Sequence, residues 1–268
     1  MPNIISSLST TLTSGINSVQ KEIVDTQTQL STGIKILNAA EIGIVTRLSA
    51  QAAGYKNVSQ NIAAGTNVIN VGQTTLTSIS TILSQAKDIA TQAANAGLQT
   101  SDRTALNTTF GQLVAQISNL IANAAVNGEN VLITGGSSLT IQSGITGGVA
   151  SRTTISNLGM STTTLLIDTS TVTSQASAQT AIDALTSALS TVSTFQSTLS
   201  ATKTGLEASA AASLSLSTNL QATVDTIQSV DQTALQARLQ QLNNQQSIDY
   251  YLIAQMNTAA AAALTLFR

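Results

Sequence analysis

Apolar residues recur every seven positions along the first forty residues of the chain. Two such series interleave at steps of four and three, namely Ile5, Leu12, Val19 and Thr26, and Ile16, Ile23, Leu30 and Leu37. This spacing is typical of a helix that buries one narrow stripe against another helix. It predicts a long amphipathic helix at the start of the chain.

The same spacing continues from residue 44 to residue 90, well beyond the length of an ordinary helix. The stripe is interrupted by polar or small residues at Gln51, Gly65 and Gly72. A pattern of this length favours a helical bundle or coiled coil over a globular core.

Turn and capping residues divide the chain after this second helix. Gly97 predicts its end, and Ser101 or Asp102 predicts the N-cap of a third, shorter helix. Asn127-Gly128 is a strong turn signal and predicts where the third helix ends.

The segment from about residue 131 to residue 172 has a different character. Four short strand-like runs are separated by glycine-rich stretches, and they cover residues 131–133, 139–141, 153–155 and 165–167. Because so few short strands are unstable alone, they are expected to pack against the helices as a small β insert.

Helical spacing returns in the second half of the chain. Two seven-residue series run from Ile182 to Ile227, and a last apolar stripe closes the chain. We place that stripe at Leu235, Leu239, Leu242, Ile248, Leu252, Met256, Leu266 and Phe267. Pairing the first and last helices would cover both stripes and bring the chain ends together.

These patterns predict a mainly α protein, a long helical hairpin or coiled-coil bundle with a small β-hairpin insert. We expect a terminal coiled-coil core domain made of residues 1–40 and 232–268. Residues 41–231 would form a helical outer domain that carries the insert.

The composition removes several classes of function. The 268 residues include no Cys and no His, so thiolate chemistry, disulfides, zinc knuckles and histidine bases are excluded. Only 8% of the residues are charged, the net charge is −2, and ten Lys and Arg are spread thinly. We therefore expect no nucleic-acid partner, no metal, no cofactor and no catalytic residue.

Neither end of the chain predicts membrane insertion. The first residues lack the basic region of a cleaved signal peptide. The apolar stretch at 259–267 is shorter than the roughly 20 residues that span a bilayer. We expect a protein without a membrane partner that leaves the cell, if it does, by a route needing no cleaved signal.

Four segments, taken in order, resemble bacterial flagellins, and the resemblance extends over nearly the whole chain. The matching segments are 30–36 with its Leu-Ser-Thr-Gly run and Lys35, 69–76, the Asn-Gly turn within 124–132, and the Arg-terminated end at 264–268. The Leu-Phe-Arg ending is similar to that of alphaproteobacterial members. The short insert implies a form that lacks the large outer domains of many flagellins.

The resemblance implies a subunit that assembles with copies of itself into the flagellar filament outside the cell. It also implies a flagellar export chaperone, the type III export apparatus, and hook-associated and cap proteins as partners. We expect the core contacts of the filament to be made by Ile5, Leu12, Ile16, Val19, Ile23, Leu30, Leu37, Leu235, Leu239, Leu242, Ile248, Leu252, Met256, Leu266 and Phe267. Isolated helices are only marginally stable, so these ends are expected to order as subunits join.

The chain departs from the family pattern at two places. Residues 38–43 read Asn-Ala-Ala-Glu-Ile-Gly, whereas many members have Asp-Asp-Ala-Ala-Gly after the opening motif. Gln85 takes the place of an arginine that an animal innate immune receptor reads, so recognition by that receptor is not expected.

Two other functions were weighed against the filament subunit. A hook–filament junction protein has similar ends but usually a larger middle. A flagellin-like enzyme with a catalytic insert is set aside, because the insert has no His, no metal motif and no room for a catalytic domain.

Overall fold

The computed structural model describes residues 2–266, and side chains from residue 7 to residue 262. Five long helices and one two-stranded sheet account for its secondary structure. In chain order these are α1 (Pro2–Thr32), α2 (Ala39–Ala93), α3 (Thr100–Asn123), β1 (Leu139–Gln142), a 3₁₀ turn (Val149–Ser151), β2 (Arg152–Ile155), α4 (Gln175–Gln228) and α5 (Gln232–Leu266). The prediction of a mainly α chain with a small β-hairpin is confirmed.

The chain divides into two compact units. The terminal unit comprises Met1–Ala50 with Leu220–Arg268, and the central unit comprises Gln51–Asn219. The predicted domain boundaries near residues 40 and 232 fall where the helices break, between α1 and α2 and between α4 and α5.

The central unit has one hydrophobic core built from α2, α3, α4 and the segment between α3 and α4. Leucine, isoleucine, valine and alanine fill it almost entirely, with a single buried phenylalanine at Phe110. Its largest fully buried side chains include Ile62, Ile69, Leu76, Ile79, Leu83, Ile117, Leu132, Ile155, Met160, Leu165 and Ile167. Aliphatic residues at helical spacing are therefore enough to build this core without many aromatic rings.

The β insert is smaller than the four strand-like runs predict. Leu139–Gln142 pairs with Arg152–Ile155 in antiparallel register, and Leu139 lies opposite Ile155. The prediction was wrong for residues 131–133 and 165–167. Residues 131–134 instead bond through their backbone to residues 158–160, with a single parallel bridge between Ile133 and Met160. Residues 165–167 lie in a turn closed by bonds to the carbonyls of Thr162 and Thr163.

The hairpin lies on α2 at a position that only glycine fits. A Cβ atom placed on Gly65 would lie 1.8 Å from Cδ1 of Ile141 in β1. Further along the helix, a Cβ atom on Gly72 would lie 3.1 Å from Cδ1 of Leu199. The two interruptions of the apolar stripe at 65 and 72 are therefore points where another element approaches α2 closely.

The turn between α2 and α3 also differs from its prediction. The N-cap of α3 is Gln99, whose side chain makes no capping hydrogen bond, and neither Ser101 nor Asp102 takes that position. The turn is instead held by Arg103, whose guanidinium donates to the carbonyl oxygens of residues 93, 95 and 98 at 2.9, 2.5 and 2.8 Å. One arginine thus bonds the last carbonyl of α2 and two carbonyls of the turn that follows it.

Candidate assembly surfaces

The first and last helices pack against each other within the terminal unit. They run antiparallel, because Ile34 at the end of α1 bridges to Ser229 just before α5 begins. Val19, Ile23 and Leu242 form a small buried cluster, with Leu239 packed against it. We call this contact between α1 and α5 the terminal seam.

The predicted assembly residues occupy different positions on these helices. Ile16, Val19, Ile23 and Leu242 are buried in the seam. The half-buried members of the set are Leu12, Leu30, Leu37, Leu235, Leu239 and Met256. The remaining members of α1 and of the chain end, namely Ile5, Leu266 and Phe267, lie outside the side chains that the structure describes.

Ile248 and Leu252 do not lie on the terminal seam. The half-buried positions after Leu242 are residues 246, 249, 253, 256 and 260, which keep the alternating steps of four and three. Ile248 follows Leu242 by six residues, which turns it about 240° around the helix from that side chain. The predicted stripe follows the apolar residues of the sequence, whereas the half-buried side of the helix continues through Gln246 and Asp249.

An apolar face of α5 is therefore exposed. Ile248 is 59% exposed, Tyr251 64% and Leu252 44%. These three residues define what we call the outer face of α5. On α1, Val24 is similarly exposed at 58%. The terminal unit thus carries one apolar stripe covered within the chain and a second one that is not.

Polar contacts join the two helices beside the seam. Arg238 donates to a carboxylate oxygen of Glu22 at 2.7 Å, and the Gln20 amide donates to the Tyr250 hydroxyl at 2.9 Å. Both contacts are exposed, so we assign them to alignment of the helices rather than to large stabilisation.

The segment that joins α1 to α2 is built around Gly33 and Lys35. Gly33 has φ +70° and ends α1 in the left-handed conformation that glycine adopts without strain. The backbone N–H of Lys35 then donates to the carbonyl of Gln228 at 2.7 Å. The Ser-Thr-Gly-Ile-Lys stretch therefore ends one helix and pairs with the end of α4.

Asn38 and Glu41 cap the start of α2 reciprocally. The N–H of Glu41 donates to the Asn38 side chain at 2.9 Å, and the N–H of Asn38 donates to the Glu41 carboxylate at 3.0 Å. The Lys35 ammonium donates to the same carboxylate at 2.5 Å. These bonds, with Lys35 first, lower the pKa of Glu41.

This cap is absent from the predictions above, although its signal is present in the sequence. Asn38-Ala39-Ala40-Glu41 has the spacing of a capping box, with an N-cap residue followed three positions later by Glu. The segment was interpreted only as a departure from a family motif. Its physical role is to fix where α2 begins.

Two further kinds of site are relevant to the described part of the chain, a metal-binding cluster and a membrane-spanning helix. Within residues 2–266, no group of three or more His, Cys, Asp or Glu side chains could hold a metal ion. In the same described range, no helix combines the length and apolar character that a membrane span requires.

Comparison with known proteins gives consistent relatives. Residues 5–135 match the family described as the bacterial flagellin N-terminal helical region. The chain is 28% identical over 259 residues to Flagellin FljK of Caulobacter vibrioides, covering 94% of this chain and 93% of that protein. It is 30% identical over 124 residues to Flagellin FlaB1 of Treponema pallidum, covering 45% of this chain and 43% of that protein.

A solved structure shares the fold. The crystal structure of Bacillus cereus flagellin matches with a TM-score of 0.51 and 24% sequence identity. The match covers 57% of this chain and 87% of that one.

Proposed function

Because this chain belongs to the flagellin family and is a structural subunit of the bacterial flagellar filament, we propose that α1 and α5 carry the contacts that join its subunits. The observation that carries this proposal is the exposed apolar outer face of α5 beside a seam that is already paired. An amphipathic helix with two apolar faces requires two neighbours, and the single chain supplies one.

The predicted residues whose side chains the structure describes take two roles in this proposal. Those on the terminal seam hold α1 against α5 within a subunit and shape the pair. Ile248 and Leu252, together with Tyr251, face outward and contact the terminal helices of adjacent subunits. Burying one such side chain contributes about 1.5–3 kcal/mol, and the gain repeats at every subunit of a filament.

Packing between subunits also completes the order of the terminal helices. In the stretch 243–262, no side chain is buried within the chain itself. Helices of 31 and 35 residues with so few internal contacts depend on lateral packing for their stability. Circular dichroism of monomer and filament should therefore show helix gained on assembly, and equal helicity in both states would contradict this coupling.

The wider setting follows from the family. Flagellins form the extracellular filament, and the family is structural rather than enzymatic. We assign no catalytic role to this chain. Its export chaperone, the type III export apparatus, and hook-associated and cap proteins are its proposed partners. The proposed export route requires no cleaved signal peptide.

We also propose that residues 1–40 and 232–268 form the filament core and that residues 41–231 form the outer domain. The helix breaks at residues 33–38 and 229–231 support this division. This division leaves no room for large outer domains, because only 51 residues lie between the end of α3 at Asn123 and the start of α4 at Gln175.

Seeded polymerisation tests the function. Purified chain in high salt, with or without fragments of its own filament, should form long tubes visible by electron microscopy. A hook–filament junction protein would not form long tubes alone. The relatives reported above carry flagellin names and favour the filament subunit. A chain that stays monomeric at every concentration, even with seeds, would contradict the proposal.

A further inference from the structure

Leu166 has a backbone conformation that is unusual for its side chain. Its φ is +59°, in the left-handed region where a Cβ atom crowds the following carbonyl. Among the residues that the structure describes, Asn127 is the other non-glycine residue with positive φ, and asparagine tolerates it better. The fold therefore holds a leucine where glycine or asparagine would be easier.

This leucine is also exposed between two buried neighbours. Leu166 is 67% exposed, whereas Leu165 and Ile167 are buried, with exposed fractions of 1% and 0%. The N–H groups of residues 165, 166 and 167 donate to the carbonyls of residues 161, 163 and 162, each at 3.0 Å. Anchored on both sides, the loop presents one isobutyl group to its surroundings in a fixed position.

A shallow cavity of about 250 Å³ lies between α2 and α3 of the same unit. Ile82 and Leu120 form its apolar wall, and the amides of Gln116, Asn119 and Asn123 surround them. Apolar cavities of roughly 150 Å³ accommodate a benzene ring, so this one is large enough for a leucine side chain.

The segment that carries Leu166 attaches to α3 on the side opposite the cavity. The end of the Leu166 segment is fixed to α3 where the N–H of Val172 donates to the Asn107 side chain at 2.9 Å. Gln116 at the cavity follows Asn107 by nine residues, which is about 180° around the helix. A projecting group on one side and a matching recess on the other is the geometry of a head-to-tail contact, which generates open fibres.

We propose that Leu166 of one subunit inserts into the cavity formed by Ile82 and Leu120 of an adjacent copy in the filament. This inference rests on the proposed function, because only a homopolymer brings a second copy to each subunit in a fixed orientation. It adds a contact in the central unit to those of α1 and α5.

The chemistry around both features is compatible. No charged residue lines the cavity. Beside Leu166, the Thr163 hydroxyl donates to the Asp168 carboxylate at 3.2 Å, and the Thr164 hydroxyl bonds the backbone of Ser161. These hydroxyls already have partners within the chain, which leaves the isobutyl group of Leu166 to bind the apolar wall of the cavity.

Replacing the leucine with glycine separates docking from folding. Leu166→Gly removes the backbone strain, so the monomer should melt at the same or a higher temperature. The same change removes the inserted side chain, so the critical concentration for polymerisation should rise on the order of tenfold. Leu166→Met keeps a long apolar group and should polymerise nearly as well as the unaltered chain.

Asn127→Gly is the matched control, since it relaxes the other positive-φ residue without removing an apolar side chain. Its critical concentration should stay unchanged. A Leu166→Gly chain that polymerises at the unaltered critical concentration would overturn the inference. If the unaltered chain itself fails to polymerise, the proposed function fails instead.

Cross-linking gives a second test that does not depend on affinity. The chain has no cysteine, so Leu166→Cys with Gln116→Cys supplies a single reactive pair per subunit. A short bismaleimide should convert filaments, but not monomers, into a ladder of covalent oligomers. Leu166→Cys with Ser118→Cys is the control, because Ser118 is exposed and lies about 200° around α3 from Gln116, and it should give no ladder. Filaments of the first pair that show no ladder would contradict the contact.

Discussion

At the scale of single residues, small side chains and caps decide where the helices of this flagellin begin and what can approach them. Gly65 admits the β-hairpin to the surface of α2, and Gly33 ends α1 with positive φ. Asn38 and Glu41 fix the first turn of α2. Each of these residues acts locally, and each also affects how distant segments of the chain can pack.

Gly65→Ala should destabilise the central unit despite alanine's better helix propensity. The propensity gain is about 1 kcal/mol. The added methyl would overlap Ile141, and overpacking of this kind costs about 1–3 kcal/mol. We expect net destabilisation of about 1 kcal/mol in urea unfolding of the monomer.

Gly111→Ala is the control for that substitution. Gly111 lies in α3, and a Cβ atom there would meet nothing within 4 Å. This change should stabilise the monomer by about 0.5–1 kcal/mol. Equal effects of the two substitutions would show that the hairpin does not lie on Gly65.

Glu41 makes part of the terminal unit's stability depend on pH. Hydrogen bonds from Lys35 and from the Asn38 backbone lower its pKa in the folded chain. A lowered pKa adds stability above the unfolded value, and that stability is lost as pH falls below about 4.5 and through the folded pKa. The melting temperature of the unaltered chain should therefore fall towards that of Glu41→Gln as the solution is acidified.

Glu207→Gln is the comparison for the acid titration. The Glu207 carboxylate lies 3.9 Å from Lys203 in an exposed pair, which contributes little. Its melting temperature should follow that of the unaltered chain from pH 7 to pH 3. If Glu41→Gln follows it equally, the capping carboxylate does not contribute as described.

At the scale of elements, the seven-residue spacing of apolar residues was sufficient to locate the helices. It was not sufficient to identify every face through which they pack. The predicted stripe of α1 coincides with its buried side at Ile16, Val19 and Ile23, because apolar residues occupy nearly every seam position there. On α5 the seam passes through Gln246 and Asp249, so apolar residue type pointed to Ile248 instead. The outer face of α5 can be identified only from the structure, in which α1 covers the other side of the helix.

The β insert shows a second limit of local patterns. Residues 165–167 have strand-like side chains, yet they lie in a turn because Ser161 and Thr164 bond each other's backbone and side-chain groups. Strand formation also requires a partner along several residues, and among the four strand-like runs only those within 139–142 and 152–155 pair over four positions. The approach of Ile141 to Gly65 joins residues far apart in sequence, which no local pattern records.

Charge on the outer face of α5 should separate folding from assembly. Ile248→Asp with Leu252→Asp leaves the terminal seam intact, so the melting temperature of the monomer should change little. In the filament the two carboxylates would be buried without partners, so polymerisation should be lost. Pelleting of polymer after centrifugation measures this directly.

The corresponding change on the seam is expected to act differently. Ile23→Asp places a charge in a buried position of α1 and should lower the stability of the monomer by several kcal/mol. If the outer-face variant still pellets like the unaltered chain, α5 does not contact other subunits through Ile248 and Leu252.

At the scale of the whole molecule, we propose that this chain is a subunit in which local order and assembly depend on each other. The central unit has its own core of aliphatic side chains, whereas α1 and α5 share only a small buried cluster. A filament supplies each terminal helix with the neighbours that one chain cannot provide. The low charge of the chain, 8% of residues, suits such a crowded interior.

The most direct test removes both ends and measures assembly. A chain of residues 41–231, checked by circular dichroism for retained helix, is incubated beside the intact protein with filament seeds and then examined by electron microscopy. The intact protein should extend the seeds into long tubes, and the shortened chain should remain monomeric. Tubes of normal diameter from residues 41–231 would contradict the assignment of subunit contacts to the terminal helices.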